Sequence, residues 1–559
     1  MAIDETSKGM ASSTDRLTAR MSWQGHNNWF NMAFHNLLQT VPGTLTAAAI
    51  GVLTVAFLFF WILQKRRWNS CRSPPGPYPW PIIGNLHQLR LPAHRSLGDL
   101  AQKYGPIMFL RLGSVPTVVV SSSETAKQFL KTHDSIFTGR PLMAAGKYLG
   151  YNYKVIAMAP CGDHWRQMRK ICVSELLSAK RIDSFKDVRE EEVSAMISSI
   201  WEESQRGTRA VNMSKAISAL ANNIIWRILA SRKFSDNDLG DNSKGPKDLV
   251  SEISATLGGF NIGDFIPYLD WLDLQGIKGR MKKAGRRFDA FAEKLIDDHI
   301  DHRRAAKTLN GQGDAEAEPV KDLVDVLLDM AEADKSETKI TREKIKAIVL
   351  DIFGGGAAGT FTTIEWAMSE LLRHPHTMKR LQEEIESVIG KHLKVNESDL
   401  VSMKYLQCVV KETLRLYPAG PLTLPRESVE AVTIAGYYIP KKTLLMVNLW
   451  AIGRDPNLWG ADASEFKPER FMKEQYIDLI GQSDFKMLPF GAGRRGCPGY
   501  PMAIPIVELA LAQLLHVFDW RVEGDPSQLD MKEACGASMP RQVPLSSSPS
   551  LRLPTCYCA

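Results

Sequence analysis

The chain has 559 residues, 44% of them hydrophobic and 23% charged, with a formal net charge of +7. This is a globular composition with ample material for a large core. A charge so small for the length, with no basic patch interleaved with aromatics, excludes a dedicated nucleic-acid binder and suits a membrane surface or an acidic protein partner. The 8 cysteines are scattered, unlike a disulfide scaffold or the paired spacings of a zinc site.

In chain order, residues 1–43 set Trp23, Trp29, Phe30 and Phe34 among polar residues and read as a luminal or disordered tail. Asp4, Glu5 and Asp15 argue against a transit peptide. Residues 44–63, TLTAAAIGVLTVAFLFFWIL, carry no charge, and ~20 such residues span a ~30 Å hydrocarbon layer. A buried core helix is also apolar on every face. The basic stop at Lys65, Arg66 and Arg67 favours a transmembrane anchor with the remainder in the cytosol. Residues 64–81 then form a basic and proline-rich hinge, stiffened because proline fixes its own φ and restricts its predecessor.

Residues 82–559 read as a single catalytic domain, mainly α with small β-sheets. Strand-like runs fall at 107–112, 117–121 and 431–439, and helical patterns at 345–372, 377–388, 403–416 and 504–518. Residues 304–320, rich in glycine and acidic residues, read as a surface connection.

The strongest chemical signal is FGAGRRGCPG at 490–499. A cysteine in a glycine-rich loop that opens a helix lies near backbone N–H groups and the positive end of the helix dipole, which hold a thiolate. Gly493 permits a tight turn and Gly499 close approach of a flat cofactor, and Arg495 can pair with a carboxylate. Alone, the pattern also fits a structural cysteine in a turn.

The stretch resembles the cytochrome P450 haem-binding signature FxxGxRxCxG at every fixed position. The resemblance implies the P450 fold and haem b, with Cys497 as the axial thiolate on iron. It further implies Phe490 packed near the sulfur and Arg495 on a haem propionate. Glu412-Thr-Leu-Arg415 with Arg470 of FKPERF resembles the family's structural ExxR and PERF triad. Trp165 and Arg169 resemble the WxxxR pair that meets the propionates, and Arg426 of PRES resembles the arginine that does the same. Phrases such as ETLRLYP, EWAMSELLRHP and WAIGRDP resemble plant microsomal members of the A type, conifer-like ones in particular. That implies an NADPH- and O2-dependent monooxygenase, single-pass in the endoplasmic reticulum membrane and fed by NADPH-cytochrome P450 reductase. Lys486, Arg494 and Arg495 are the candidate basic docking face for that reductase.

Four positions depart from the family. Members usually carry an acid and a threonine in the central helix, where they hold the water that delivers protons. Counting between Asp351-Ile-Phe and Glu365-Trp puts Ala358 at the acid and Gly359 at the threonine, within Gly356–Thr360 of the oxygen-groove segment. A rival register would place Thr362 at the alcohol, and Thr360 lies about 100° round the helix from the vacant position. Missing relay groups leave coupling, rearrangement or dehydration open beside hydroxylation. Pro505 is expected to kink the helix after Cys497. Cys161 stands where plant members often have tyrosine and is expected to be buried and apolar. The pocket is expected from residues 142–157, 257–265, 355–360 and 419–424, with Thr360 and Thr423 as its polar handles. That suits a hydrophobic specialised metabolite, a terpenoid first and a phenolic or flavonoid second.

Overall fold

The computed structural model describes residues 51, 52, 55, 73–233, 249, 252–253, 256–309, 321–333, 339–391, 394–473 and 477–552. The chain divides into two units, Met1–Arg72 and Ser73–Ala559. The tail at 1–43, and the anchor at 44–63 apart from three helical residues, lie outside the described residues.

The second unit is mainly helical. Its longer helices are α1 (Ala93–Tyr104), α2 (Asp163–Ile171), α3 (Lys186–Glu203), α4 (Met213–Ala230), α5 (Ile277–Leu309), α6 (Leu323–Ala333), α7 (Arg342–Arg373), α8 (Pro375–Ile389), α9 (Lys404–Leu416) and α10 (Tyr500–Val517). The strands are β1 (Ile107–Leu112), β2 (Val115–Val120), β3 (Val211–Asn212), β4 (Arg426–Glu427), β5 (Val432–Ile434), β6 (Tyr437–Ile439), β7 (Leu444–Val447), β8 (Phe518–Arg521) and β9 (Ser546–Leu551). The run at 431–439 forms the β5–β6 hairpin, with Val432 opposite Ile439. The run expected to be a surface connection is helical as far as Leu309, where α5 ends.

α7 is the axis of the fold. It packs on α4, α9 and α10, so it is apolar nearly all round, as a helix surrounded by protein must be. α7 and α10 are each long and apolar enough to cross a membrane, but most of each is buried within the protein. They are core helices.

The main sheet has the order β1–β2–β7–β4. β2 and β7 are parallel, with Val118 opposite Leu445, and Arg426 of the short β4 lies opposite Leu445 on the other side. This pairing aims Arg426 from the sheet into the helical body. The proline-rich residues from 74 onward pack against β1, where the Phe109 N–H donates to Pro75 O at 2.8 Å.

Candidate active site

The cysteine loop is folded by its glycines. Gly491 and Gly493 sit at φ 70° and 66°, left-handed backbone that favours glycine. At 493 a Cβ would also lie 2.4 Å from Asp134 Oδ1 and 2.5 Å from Leu130 O. The turn brings the Cys497 N–H to Phe490 O at 2.8 Å, and α10 starts at Tyr500. Gly499 lies beside the sulfur, a Cβ there being 3.9 Å from Cys497 Sγ. The sulfur lies deep in the protein, and its accessible surface opens into a cavity of about 420 Å³. Burial pushes the thiol pKa up, against backbone N–H groups of Gly499 and Tyr500 and the nearby Arg169 charge, which pull it down. The expected N–H groups are therefore present, but burial outweighs them in the protein alone. A bound metal cation supplies what is missing for a thiolate.

Phe490, Trp165, Arg169, Arg426 and Arg495 all line the same cavity. So does Arg140, which sequence reasoning missed because no motif surrounds it. Arg140 donates to the carbonyls of Leu424 and Pro425, both at 2.7 Å. Arg426 donates to Asp134 at 3.0 Å and to Ala492 O at 2.6 Å. Arg495 donates to the carbonyls of Thr138, Ile156 and Ala159 and lies 4.2 Å over the Trp165 ring. Burial holds Arg140, Arg169, Arg426 and Arg495 below the usual guanidinium range, Arg495 at about 10. Arg140 is depressed further by the Arg495 and Arg426 charges.

Buried cations so poorly compensated are costly unless an anion joins them. The Trp165 indole N–H and the Arg140 Nε are buried without a partner. These donors, facing the same cavity as a thiol, fit a flat group carrying two carboxylates, which is what haem is. Trp165, Arg140, Arg169, Arg426 and Arg495 would hold its acid edge and Cys497 its iron. Haem bound there supplies the chemistry that activates O2.

Behind the cavity, Glu412 and Arg415 form a fully buried pair through two hydrogen bonds of 2.6 and 2.8 Å. Arg470 donates to Glu412 at 2.9 Å, as does the Lys467 N–H at 2.7 Å. Arg415 also donates to the carbonyls of Gly453, Ala463 and Glu465. This network ties α9 to the loops that precede the cysteine and touches no part of the cavity.

Along α7, Asp351, Gly355, Gly356, Gly359, Thr360 and Thr363 line the cavity, whereas Ala358 and Thr362 do not. The rival register therefore finds no alcohol in the cavity, since Thr362 is fully buried and donates to Ala358 O. Thr360 does reach the cavity wall, with its hydroxyl donating to Gly356 O at 2.9 Å. At Gly359 a Cβ would meet only Ala419 Cβ, at 4.0 Å, so the position is bare and has room.

Other expectations need correction. None of residues 257–265 lines the cavity, because this segment is pinned to the sheet, with the Ser114 N–H donating to Phe265 O at 2.8 Å. Ile225 of α4, Cys172 and Ala537 take its place. Cys161 is exposed, not buried. Pro505 lies inside α10, as expected from sequence, and nothing in the structure explains that proline. Of the candidate docking cations, Arg495 is spent on the cavity wall, and Arg494 is exposed beside Asp134.

A buried cysteine on a glycine-pinned loop, a cationic wall and a central apolar helix together define a haem-thiolate oxygenase site. A model of the family described as Cytochrome P450 matches residues 74–544, and the protein belongs to that family. It is 65% identical over 529 residues to "Cytochrome P450 750A1" of Pinus taeda, covering 94% of this chain and 100% of that protein. It is 44% identical to "Cytochrome P450 71A1" of Persea americana over 88% of this chain and 96% of that one. It is 40% identical to "Flavonoid 3'-monooxygenase" of Arabidopsis thaliana over 90% and 97%. The chain is thus a monooxygenase of the haem-dependent P450 class with the P450 fold.

Proposed function

We propose that the protein hydroxylates a hydrophobic plant specialised metabolite, with Cys497 as the axial ligand and electrons from NADPH through a reductase. The observation that carries this reading is the cavity in which the Cys497 sulfur and the buried arginines face apolar side chains such as Ile225, Ile352 and Leu422. Glu412, Arg415 and Arg470 serve it only by fixing the core. Residues 44–63 anchor the enzyme in the endoplasmic reticulum membrane, which their charge-free length and basic flank support. Of the two substrate classes expected from sequence, we place a phenolic or flavonoid ahead of a terpenoid. Several relatives are named flavonoid 3'-monooxygenases, and the cavity holds a partly buried carboxyl.

The test is expression of the full chain with a reductase, followed by the thiolate-specific carbon monoxide difference band and a screen of both classes. Product that requires NADPH, together with loss of the band in Cys497→Ser, is the expected result. Turnover that needs no NADPH would instead assign rearrangement or dehydration, a second reading favoured by the bare Gly359.

A further inference from the structure

The two threonines expected to be polar handles line the cavity, and each already makes one bond to backbone. Thr360 donates to Gly356 O at 2.9 Å, and Thr423 Oγ1 accepts the Val447 N–H at 3.0 Å. The arginines belong to the acid-binding wall. Asp351 of α7 is different. Its carboxyl accepts the N–H groups of Ile156 at 2.5 Å and Ala157 at 3.3 Å. It forms no ion pair among the described residues. Asp351 is only partly buried, and it lines the cavity. An ionised carboxylate offers about four acceptor positions, of which the loop uses two.

We propose that Asp351 is a substrate-binding residue that accepts a hydrogen bond from a hydroxyl of the ligand. Asp351 and Gly359 are eight residues apart on the cavity side of α7, about 12 Å at ~1.5 Å per residue. The ligand is therefore an elongated alcohol or phenol whose hydroxyl lies about that far from the Gly359 end. A neutral hydroxyl fits better than an ammonium because four arginines line the same cavity. Burial also pushes the Asp351 pKa up to about 7, and a hydroxyl can donate to the ionised form or accept from the protonated one. The inference rests on reading the cavity as a monooxygenase substrate site.

Ligand-induced difference spectra of the haem-loaded enzyme test it, using a polyhydroxylated flavanone and a terpenoid alcohol, each paired with its methyl ether. The wild type is expected to prefer a free hydroxyl by about tenfold, the scale of one hydrogen bond to a charged group. Asp351→Ala is expected to abolish that preference, weakening the hydroxyl ligand about tenfold more than its ether. No preference in any wild-type pair overturns the proposal. Equal weakening of hydroxyl and ether also overturns it, leaving Asp351 a brace for the loop. If the alanine variant fails to take up haem, a wild-type complex structure decides. A ligand hydroxyl within about 3.2 Å of the carboxyl supports the proposal, and only apolar ligand atoms there overturn it. Product formation with NADPH is scored separately. Product without a hydroxyl preference sinks this subsite alone, and a preference without product sinks the assigned reaction.

Discussion

Asp351 and Arg495 hold the same peptide from opposite sides. The carbonyl of Ile156 accepts from Arg495 Nη1 at 3.3 Å, and the N–H of Ala157, in that peptide, donates to Asp351 Oδ1 at 3.3 Å. One wall of the cavity is thus suspended between the central helix and the cysteine loop, which no local sequence pattern connects.

The first consequence concerns Arg495. Its guanidinium holds three carbonyls across 138–159 and stacks on Trp165, and hydrogen bonds from a charged group are worth ~1.5–3 kcal/mol each. Arg495→Ala is expected to lower haem content per protein and to speed amide exchange in residues 138–159. Lower haem content with unchanged exchange would mean that Arg495 serves the cofactor without bracing the wall.

Asp351 predicts a pH effect on stability. Its carboxyl is raised from 3.8 to about 7 because burial penalises the charge more than the Ile156 and Ala157 N–H groups favour it. The folded protein therefore keeps a proton that the unfolded chain has already released. This contribution to stability is fully present below pH 3.8 and is lost as pH rises through about 7. Asp351→Asn has no such proton to lose. Its Tm relative to wild type should climb between about pH 5 and about pH 8, and a flat difference would contradict the raised value.

The Glu412–Arg415 pair predicts the largest loss of stability. Both side chains are fully buried, and Arg470 depends on the same carboxylate. Glu412→Ala strands the buried Arg415 and leaves Arg470 only its longer pairing to Asp462 at 3.4 Å, and breaking a buried pair from one side costs ~3–5 kcal/mol. Denaturant unfolding of the haem-loaded protein should show that loss. A change below ~1 kcal/mol, the scale of a surface pair, would mean that water reaches the site.

How legible this was depended on whether a residue's role was local. The cysteine loop, the ExxR pair and the main helices show in the sequence because glycine placement, i to i+3 spacing and apolar periodicity are local properties. Arg140 carries no motif and Asp351 shows only as a landmark for counting along the helix, because their importance comes from chain segments far apart in sequence meeting around one cavity. The expected pocket contribution from 257–265 failed for the same reason. Phe265 is buried, but against the sheet beside Leu97 and Met108, and Phe260 is exposed.

The bare position on α7 gives the last prediction. Thr360 and Thr363 both donate their hydroxyl protons to carbonyls one turn back, at 2.9 Å each, and Ala358 points away from the cavity wall. The helix face around Gly359 therefore presents no alcohol free to carry a proton. Space is available, since a Cβ at 359 meets only Ala419 at 4.0 Å. Glycine in a helix interior also costs ~0.5–1 kcal/mol relative to alanine, so a side chain there should not destabilise α7. Gly359→Thr is expected to raise the fraction of NADPH electrons recovered in product several-fold, at the expense of peroxide, with Tm unchanged or higher. General acid catalysis contributes enough for such a change to be measurable. An unchanged ratio of product to peroxide, in a variant that keeps its haem, would show that protons reach the site by a route that does not need residue 359.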